Sequence, residues 1–278
     1  MLLYAITATQ TGEDVITRNY VLYMTSNRIL VGAEIDKIIS ILLVTGVLAV
    51  ALIRAQRLLV RDMIGSTAAH DLSRFVARDV ADKVTTSDKA IQPGDGEVRV
   101  ASVLFTDIEG FSTISEKLGP DRLAKMLNDY FGAMSEVINQ FGGTISQYQG
   151  DAMLITFNTV KPDADHVANA VRTSIGIQQA CRSRDFAGDI PLKTRCGINT
   201  GEMLVGAVGS EDQMLFTVHG DEVNVAARLE QLNKQYGTYI MAGENTVKVC
   251  ADEFAFERVG EITVRGRSSP TEVYVLKV

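Results

Sequence analysis

The chain contains 278 residues, of which 46% are hydrophobic and 22% are charged, and its formal net charge is −7. This composition is typical of one or two packed domains and excludes long disordered stretches. The acidic balance argues against a broadly basic nucleic-acid surface, so we expect no nucleic-acid partner, and a polyanionic ligand would need metal ions or a few well-placed Arg or Lys residues.

The first predicted element is a membrane-spanning helix. The residues from Ile38 to Ile53 carry no charge, and at 1.5 Å per residue they span about 24 Å, slightly less than the ~30 Å hydrocarbon core. The stems of Lys37 and Arg54 can extend the span, so we assign residues 35–54 to a transmembrane helix. A buried soluble helix is the alternative, but the run is apolar all round. Residues 1–34 have no strong pattern and are assigned to an extracytoplasmic or partial membrane region.

The charges that flank this helix predict its orientation. Arg54, Arg57 and Arg61 follow it, whereas the acidic residues Glu34 and Asp36 precede it. The positive-inside rule therefore places the C-terminal part of the chain in the cytoplasm. We expect a cell-membrane protein, single-pass or part of a multi-pass region.

Residues 55–96 are predicted to form a juxtamembrane helix followed by a linker. Apolar residues recur at helical spacing up to residue 84. Such a helix either pairs with a copy of itself or packs on its own domain, and the spacing leaves both open. Residues 85–96 contain Pro93 and Gly94 among polar residues, which is typical of a linker.

Residues 97–278 alternate between strand and helix patterns. Strands are predicted at 98–105, 144–149, 152–157, 193–199, 203–208, 254–264 and 272–278, and helices at 121–141, 164–184 and 222–235. The order βαββαβ, with a short hairpin in its middle, predicts an α+β fold, a ferredoxin-like sandwich with additions.

Two aspartates stand at the ends of predicted strands. Asp107 follows the strand 98–105, and Asp151 lies in the tight turn between strands 144–149 and 152–157. If the first strand lies beside this hairpin, both carboxylates meet at one end of the sheet. Carboxylate oxygens, with positions left for water and phosphate, suit Mg²⁺, and two such ions can activate a nucleophile and bind phosphates. Ordinary turn chemistry is the alternative for either residue alone.

Other metal chemistry is not indicated. Cys181, Cys196 and Cys250 lie far apart with no C-x-x-C spacing, and the three histidines are scattered. We therefore expect buried free thiols in a reducing compartment instead of a disulfide or zinc site. The sequence lacks a P-loop, which disfavours a Walker-type nucleotidase.

Three motifs carry a family resemblance. They are FTDIEGFS from Phe105, GDAMLITF from Gly150 and FTVHGDEVNVAARLE from Phe216. In this order and spacing they resemble the class III adenylate/guanylate cyclase catalytic domain, over the predicted domain 97–278. The resemblance implies a homodimer whose two sites are each shared between the chains, with two Mg²⁺ (or Mn²⁺) ions per site.

The resemblance also implies roles for individual residues. Asp107 and Asp151 would bind the metal ions, together with the backbone of Ile108. Asn224 would orient the ribose and Arg228 would stabilise charge on the phosphates, both from the partner chain. These last two residues are four apart in a predicted helix, so they share one face of it.

Four further positions are implied to contact the substrate. They are Phe111, Gln147, Leu215 and Arg267, with Arg265 as the alternative to Arg267. Gln147 and Leu215 match neither the adenylate-specific nor the guanylate-specific residue pair of the family. The amide of Gln147 can serve either purine, whereas Leu215 offers no hydrogen bond and would exclude the wrong base only loosely. Alternatively, Leu215 is a core strand residue and the base is read elsewhere.

The resemblance therefore predicts an adenylate cyclase that converts ATP to 3′,5′-cyclic AMP and pyrophosphate. The alternatives are a guanylate or dual-specificity cyclase that accepts GTP, and a catalytically silent cyclase-like regulatory module. The presence of Asp107, Asp151, Asn224 and Arg228 disfavours the silent module.

Overall fold

A computed structural model describes residues 16–25, 29–73, 79–81, 83, 91–210, 213–263 and 270–277. Contacts divide the chain into two units, Met1–Leu72 and Ser73–Val278. In the first unit, strands β1 (Ile16–Thr17) and β2 (Ile29–Leu30) pair in parallel around helix α1 (Tyr20–Thr25).

A single 43-residue helix, α2 (Val31–Ser73), follows these short elements. Its segment Val31–Gln56 is long and apolar enough to cross a membrane, with a mean hydropathy of 2.5 and none of its surface buried within the chain. The helix continues past Arg54 without a break. The predicted membrane helix and the first part of the predicted juxtamembrane helix are therefore one element.

Residues 79–81 and 83 belong to the second unit and pack against the rest of it. Val80 is buried, the Asp79 carboxylate lies 2.5 Å from Lys161 Nζ, and Lys83 Nζ lies 5.0 Å from the centre of the Phe216 ring. These contacts are the kind expected if the juxtamembrane segment packs on its own domain, and pairing with a second copy stays an alternative.

The core of the second unit is a βαββαβ unit. Its elements are β3 (Gly96–Ile108), α3 (Phe111–Lys117), α4 (Pro120–Gln140), β4 (Thr144–Gln149), β5 (Ala152–Phe157), α5 (His166–Ser183) and β6 (Thr194–Gly209). The four strands are antiparallel in the order β4-β5-β3-β6. With the strands counted along the chain this order is second, third, first and fourth, so the predicted ferredoxin-like arrangement is confirmed.

The remaining elements extend this sheet. They are β7 (Met214–His219), α6 (Asp221–Tyr236), β8 (Ile240–Gly243), α7 (Glu244–Cys250), β9 (Phe256–Ile262) and β10 (Thr271–Leu276). Strand β7 pairs with β6, and the sheet continues through β8 and β10 to β9. Four of the elements after β3 were not predicted from the sequence, and all are seven residues or shorter: α3, β7, β8 and α7.

The two faces of the sheet carry separate cores. Helices α4 and α5 pack on one face, around Leu104, Met134, Ile155 and Ile177. Helix α6 packs on the other face, where Ala226 meets Val103 and Met203. Because side chains alternate along a strand, Asp107 lies on the same face of β3 as Val103, which is the α6 face.

The predicted break at residues 200–202 was wrong, because β6 runs without interruption. Gly201 pairs with Ala101 in the middle of the β3–β6 ladder. The Thr200 hydroxyl is buried between those of Ser102, at 2.7 Å, and Thr246, at 3.0 Å. Thr-Gly-Glu resembles a turn in composition, but here the glycine provides space inside a sheet: a Cβ on it would collide with the Glu222 side chain.

Candidate active site

The two predicted aspartates meet at one end of the sheet. Asp151 lies in the two-residue turn between Gln149 and Ala152, which are paired, and Gly150 supplies the left-handed conformation of that turn at φ 67°. Strand β5 lies beside β3, and the Ile108 N–H donates a hydrogen bond to Asp151 Oδ2 at 3.1 Å. The first strand therefore does lie beside the hairpin, as the convergence of Asp107 and Asp151 requires.

The electrostatics of this pair favour a bound cation. Burial and the nearby charge of Asp107 raise the pKa of Asp151 to about 6, although backbone N–H groups oppose the shift. A cation between the two carboxylates would relieve this repulsion. The raised pKa reflects burial of Asp151 first and repulsion from Asp107 second.

Arg195 is a site residue that the sequence analysis missed. It lies directly opposite Asp107 in the β3–β6 register, and its Nη2 donates to Asp107 Oδ2 at 2.6 Å. Its Nε lies 3.2 Å from Glu230 Oε1 on helix α6. Both side chains are largely buried, at 13% and 12% exposure. The sequence does show a charged residue, Arg195, within the mostly apolar β6. That it lies beside Asp107 follows only from the register of β6 against β3.

The contact between Arg195 and Glu230 is close without being a good hydrogen bond. The two atoms are at ion-pair distance, yet neither Arg195 Nε nor Glu230 Oε1 has an aligned hydrogen-bond partner. Burial and the charge of Asp107 raise the pKa of Glu230 to about 7, and Arg195 offsets only part of that rise. The Arg195 guanidinium therefore contacts two carboxylates, and its hydrogen bond to Asp107 is better aligned than its contact with Glu230.

The donor set fits a hard divalent ion. No cluster of three or more His, Cys, Asp or Glu side chains suited to a metal occurs in the part of the chain that the structure describes. The pair Asp107 and Asp151 supplies two carboxylates, which leaves further positions to a backbone carbonyl, water and phosphate. Mg²⁺ is commonly held in this way, by one or two carboxylates together with substrate phosphates.

Asn224 and Arg228 lie on the outer face of α6. Both are exposed, whereas Val225 and Leu229 on the same helix are buried. Arg228 Nη1 donates to Gln231 Oε1 at 3.2 Å. Among the described residues, no hydrogen bond or ion pair joins either of them to the two aspartates.

The predicted substrate contacts are spread over several elements. Phe111 begins α3 and packs against the main core. Gln147 follows an irregularity in β4 after Ile145, and its side-chain oxygen accepts a hydrogen bond from Gln149 at 3.2 Å. Leu215 pairs with Val208 in β7 and is 43% exposed, so it is not a core strand residue within one chain. The predicted phosphate contacts Arg267 and Arg265 lie outside the described residues.

The cysteines are outside this site. Cys181, Cys196 and Cys250 are free and buried, as predicted. Cys196 Sγ lies 3.7 Å from the side-chain nitrogen of Gln178, in the core on the opposite face of the sheet from Asp107. These thiols act as small apolar side chains.

Comparison with known proteins identifies the second unit. The family model described as "Adenylate and Guanylate cyclase catalytic domain" matches residues 96–278. Adenylate cyclase 1 of Rhizobium meliloti (strain 1021) is 38% identical over 177 residues, which are 62% of this chain and 27% of that protein. An adenylate cyclase of Anabaena cylindrica is 32% identical over 198 residues, covering 67% of this chain and 38% of that protein. The chain thus spans 27% and 38% of the lengths of these curated relatives.

Solved cyclase structures share the fold. The adenylyl cyclase CyaB from P. aeruginosa superposes with a TM-score of 0.58 and 28% identity, covering 66% of this chain and 96% of that one. The guanylyl cyclase Cya2 superposes with a TM-score of 0.57 and 32% identity, covering 65% and 93%. From the extent of the family match, the chain belongs to the class III adenylate and guanylate cyclases.

Proposed function

We propose that this protein is an adenylate cyclase that converts ATP to 3′,5′-cyclic AMP and pyrophosphate. The observation that carries the proposal is the pair of carboxylates, Asp107 and Asp151, at one end of the sheet, linked through the Ile108 N–H. Two relatives named as adenylate cyclases, at 38% and 32% identity, support ATP as the substrate.

Divalent metal ions are part of the proposal, because cyclases of this family generally use them. Two Mg²⁺ or Mn²⁺ ions would be held by Asp107, Asp151 and the backbone carbonyl of Ile108. When bound, such ions favour deprotonation of the ribose 3′-hydroxyl and neutralise charge on the phosphates.

The reaction needs positioning more than covalent chemistry from the protein. The 3′-oxygen forms a bond to the α-phosphorus, the bond from that phosphorus to the β-bridging oxygen breaks, and pyrophosphate leaves. Asn224 would orient the ribose for this in-line attack. The guanidinium of Arg228 would stabilise the charge that builds on the phosphates.

We infer that the working enzyme is a homodimer with shared sites. Asn224 and Arg228 are exposed and have no hydrogen bond or ion pair to Asp107 or Asp151 among the described residues. A second chain would bring its own α6 to the carboxylate pair of the first chain. Each site would then combine an aspartate half from one chain with a helix half from the other.

The membrane position is proposed from helix α2. The segment Val31–Gln56 has the length and hydropathy of a span, and Arg54, Arg57 and Arg61 follow the apolar run. By the positive-inside rule we infer a cell-membrane protein whose cyclase domain lies in the cytoplasm.

GTP is the second candidate substrate. Gln147 can hydrogen-bond to either purine, and Leu215 offers no polar group to reject one of them. The similarity to the guanylyl cyclase Cya2 at 32% identity also favours this alternative. Discrimination between the two bases would be loose if these residues face the base.

A product assay with ATP and GTP side by side tests the proposal. The purified full chain, verified as a dimer and given Mg²⁺ or Mn²⁺, should release cyclic AMP and pyrophosphate from ATP, and Asp107→Ala should abolish this. Asp252→Ala, which removes an exposed carboxylate elsewhere, should keep full activity. A verified dimer that makes no cyclic nucleotide from either substrate would refute cyclase activity.

A further inference from the structure

Glu230 faces the opposite way from Arg228 on α6. Arg228 is exposed on the outer face of the helix, whereas Glu230 turns inwards with 12% of its side chain exposed. Its carboxylate ends 3.2 Å from Arg195 Nε, beneath the Asp107 carboxylate that Arg195 also holds. The buried acid is therefore one step removed from the candidate metal ligands.

The position of Glu230 is fixed by its backbone. At Gly197, two residues after Arg195 in β6, helix α6 lies directly on the strand: a Cβ there would collide with the backbone nitrogen of Glu230 and the carbonyl oxygen of Ala226. The side chains of Arg195 and Glu230 thus extend from two backbones in contact. This arrangement holds Glu230 within reach of Arg195 in any state that keeps the helix on the sheet.

Arg195 has an unequal hold on its two acids. It donates a well-aligned hydrogen bond to Asp107 at 2.6 Å, but its Nε and the Glu230 oxygen face each other without alignment. A metal ion on Asp107 would repel the adjacent guanidinium. Glu230 is then the second carboxylate, already adjacent, to which Arg195 can turn.

We propose that Glu230 is a positioning residue that draws Arg195 away from Asp107 and thereby favours metal binding at that carboxylate. The proposal rests on the proposed function, in that Asp107 is taken as a metal ligand. Arg195 is the internal competitor for that ligand, and Glu230 sets how strongly it competes. Loss of Glu230 leaves the guanidinium entirely on Asp107, and loss of Arg195 leaves Asp107 free.

The experiment measures Mn²⁺ binding to the full-length protein without nucleotide, by electron paramagnetic resonance of free Mn²⁺. Outer residues around metal ligands typically change affinity by about tenfold or more. We expect Glu230→Gln to bind Mn²⁺ about tenfold more weakly and Arg195→Gln to bind it more tightly than the unchanged protein. The matched control is Asp221→Asn, which removes the same charge from the exposed start of α6 and should leave affinity unchanged.

The double variant separates an effect through Arg195 from a direct one. If Glu230 acts through Arg195, Glu230→Gln has no further effect once Arg195→Gln is present. Equal weakening in both backgrounds would show that Glu230 acts on the metal directly, and an unchanged affinity in the single variant would overturn the proposal as well. A purely structural ion pair would weaken binding in both single variants.

Two further measurements keep the test decisive. If Glu230→Gln does not fold, as judged by its melting temperature, Glu230→Asp takes its place. The shorter side chain keeps the charge but draws it back from Arg195, so it should also weaken Mn²⁺ binding, and unchanged or tighter binding in that variant refutes the proposal. Asp107→Ala tests the premise, because Mn²⁺ binding that survives it removes Asp107 as a ligand. A protein that binds Mn²⁺ through Asp107 yet forms no cyclic nucleotide would refute the proposed function alone.

Discussion

Helix α6 carries polar side chains on two opposite faces, one towards the sheet and one towards the outside. Glu230 turns towards the sheet and reaches Arg195, which in turn holds Asp107. Asn224 and Arg228 lie on the opposite side, exposed and without a hydrogen bond or ion pair to the aspartates among the described residues. One helix therefore belongs to the carboxylate site of its own chain and presents a second set of groups outwards.

The difference shows how one chain can build half of each of two sites. The inner group is arranged by strand register and by contact between backbones, both of which exist within one chain. The outer group needs a ligand or a second chain before it meets any carboxylate. If the proposed dimer is correct, the Glu230 side of each α6 supports the aspartates of its own chain through Arg195. The side with Asn224 and Arg228 completes the site of the partner chain.

Mixing two inactive variants tests most directly whether the two halves of a site come from different chains. Asp107→Ala and Arg228→Ala should each lower cyclase activity by about 100-fold or more, because each removes one half of every site. In a co-expressed mixture, half of the dimers carry one of each variant and have one intact site, so we expect roughly a quarter of full activity. The measurement is cyclic AMP production per mole of protein.

A mixture with no activity above that of the single variants would mean that both residues act in the same chain. The control is a mixture of Asp107→Ala with Asp151→Ala, which remove groups from the same half. In every heterodimer one site then lacks Asp107 and the other lacks Asp151, so no site is intact and no activity should return.

A substitution at Gly197 tests whether the inner residue Glu230 and the outer residues Asn224 and Arg228 both need α6 to lie close to the sheet. Gly197→Ala inserts a methyl group against the backbone of Ala226 and Glu230, and overpacking of this kind costs about 3 kcal/mol. We expect a lower urea midpoint and loss of cyclase activity together. Gly132→Ala is the control: Gly132 is an exposed position on helix α4 with open space around its Cβ, and the change should stabilise the protein by about 0.5–1 kcal/mol. A tolerated Gly197→Ala would contradict the fixed placement of Glu230.

The sequence predicted features that depend on local patterns and not those that depend on how distant strands pair. The pair Asp107 and Asp151 was predictable because each lies at the end of a locally recognisable strand or hairpin turn. Arg195 was not, because its place beside Asp107 depends on the register of β6 against β3. The continuous β6 was missed for a related reason, since Gly201 looks like a turn until its partner Ala101 is known.

The base contacts show where sequence information ends. Gln147 and Leu215 can be located from motif spacing, and the structure places them in β4 and β7. Whether they face the same purine depends on a second chain and a nucleotide, so their roles stay predictions. The short elements that were missed, such as β8 and α7, are specified by packing on the sheet more than by local periodicity.

His166 makes the stability of the fold depend on pH independently of the aspartate site. It packs on the face of β3 opposite to Asp107. Its Nδ1 lies 2.9 Å from Ser102 Oγ, and burial lowers its pKa below the ordinary value of 6.5. The unfolded chain therefore binds the proton first as the pH falls. Stability from this residue is full above about pH 6.5 and is lost as the pH falls towards the folded pKa.

Urea unfolding at pH 7.5 and pH 5 measures this loss. We expect His166→Gln to cost about 1 kcal/mol at pH 7.5, through the weakened contact with Ser102, and to reduce the difference between the two pH values. His219→Gln changes an exposed histidine and should keep that difference. An equally large difference in His166→Gln would assign the acid sensitivity to other groups. Asp151 is not one of them, because its raised pKa makes the folded chain bind the proton first and so adds stability as the pH falls.

The smallest expected effect concerns the segment before the cyclase domain. Asp79 Oδ1 lies 2.5 Å from Lys161 Nζ, and these side chains are 25% and 71% exposed; the Thr144 hydroxyl lies 3.5 Å from the other Asp79 oxygen. A double-mutant cycle with Asp79→Asn and Lys161→Gln should give a coupling of about 0.5 kcal/mol, typical of an exposed pair. The control pair is Glu244 with Lys248, an exposed contact within α7. Zero coupling for Asp79 and Lys161, with normal coupling in the control pair, would show that this ion pair does not hold the segment on its domain, and would leave that role to apolar contacts such as that of the buried Val80.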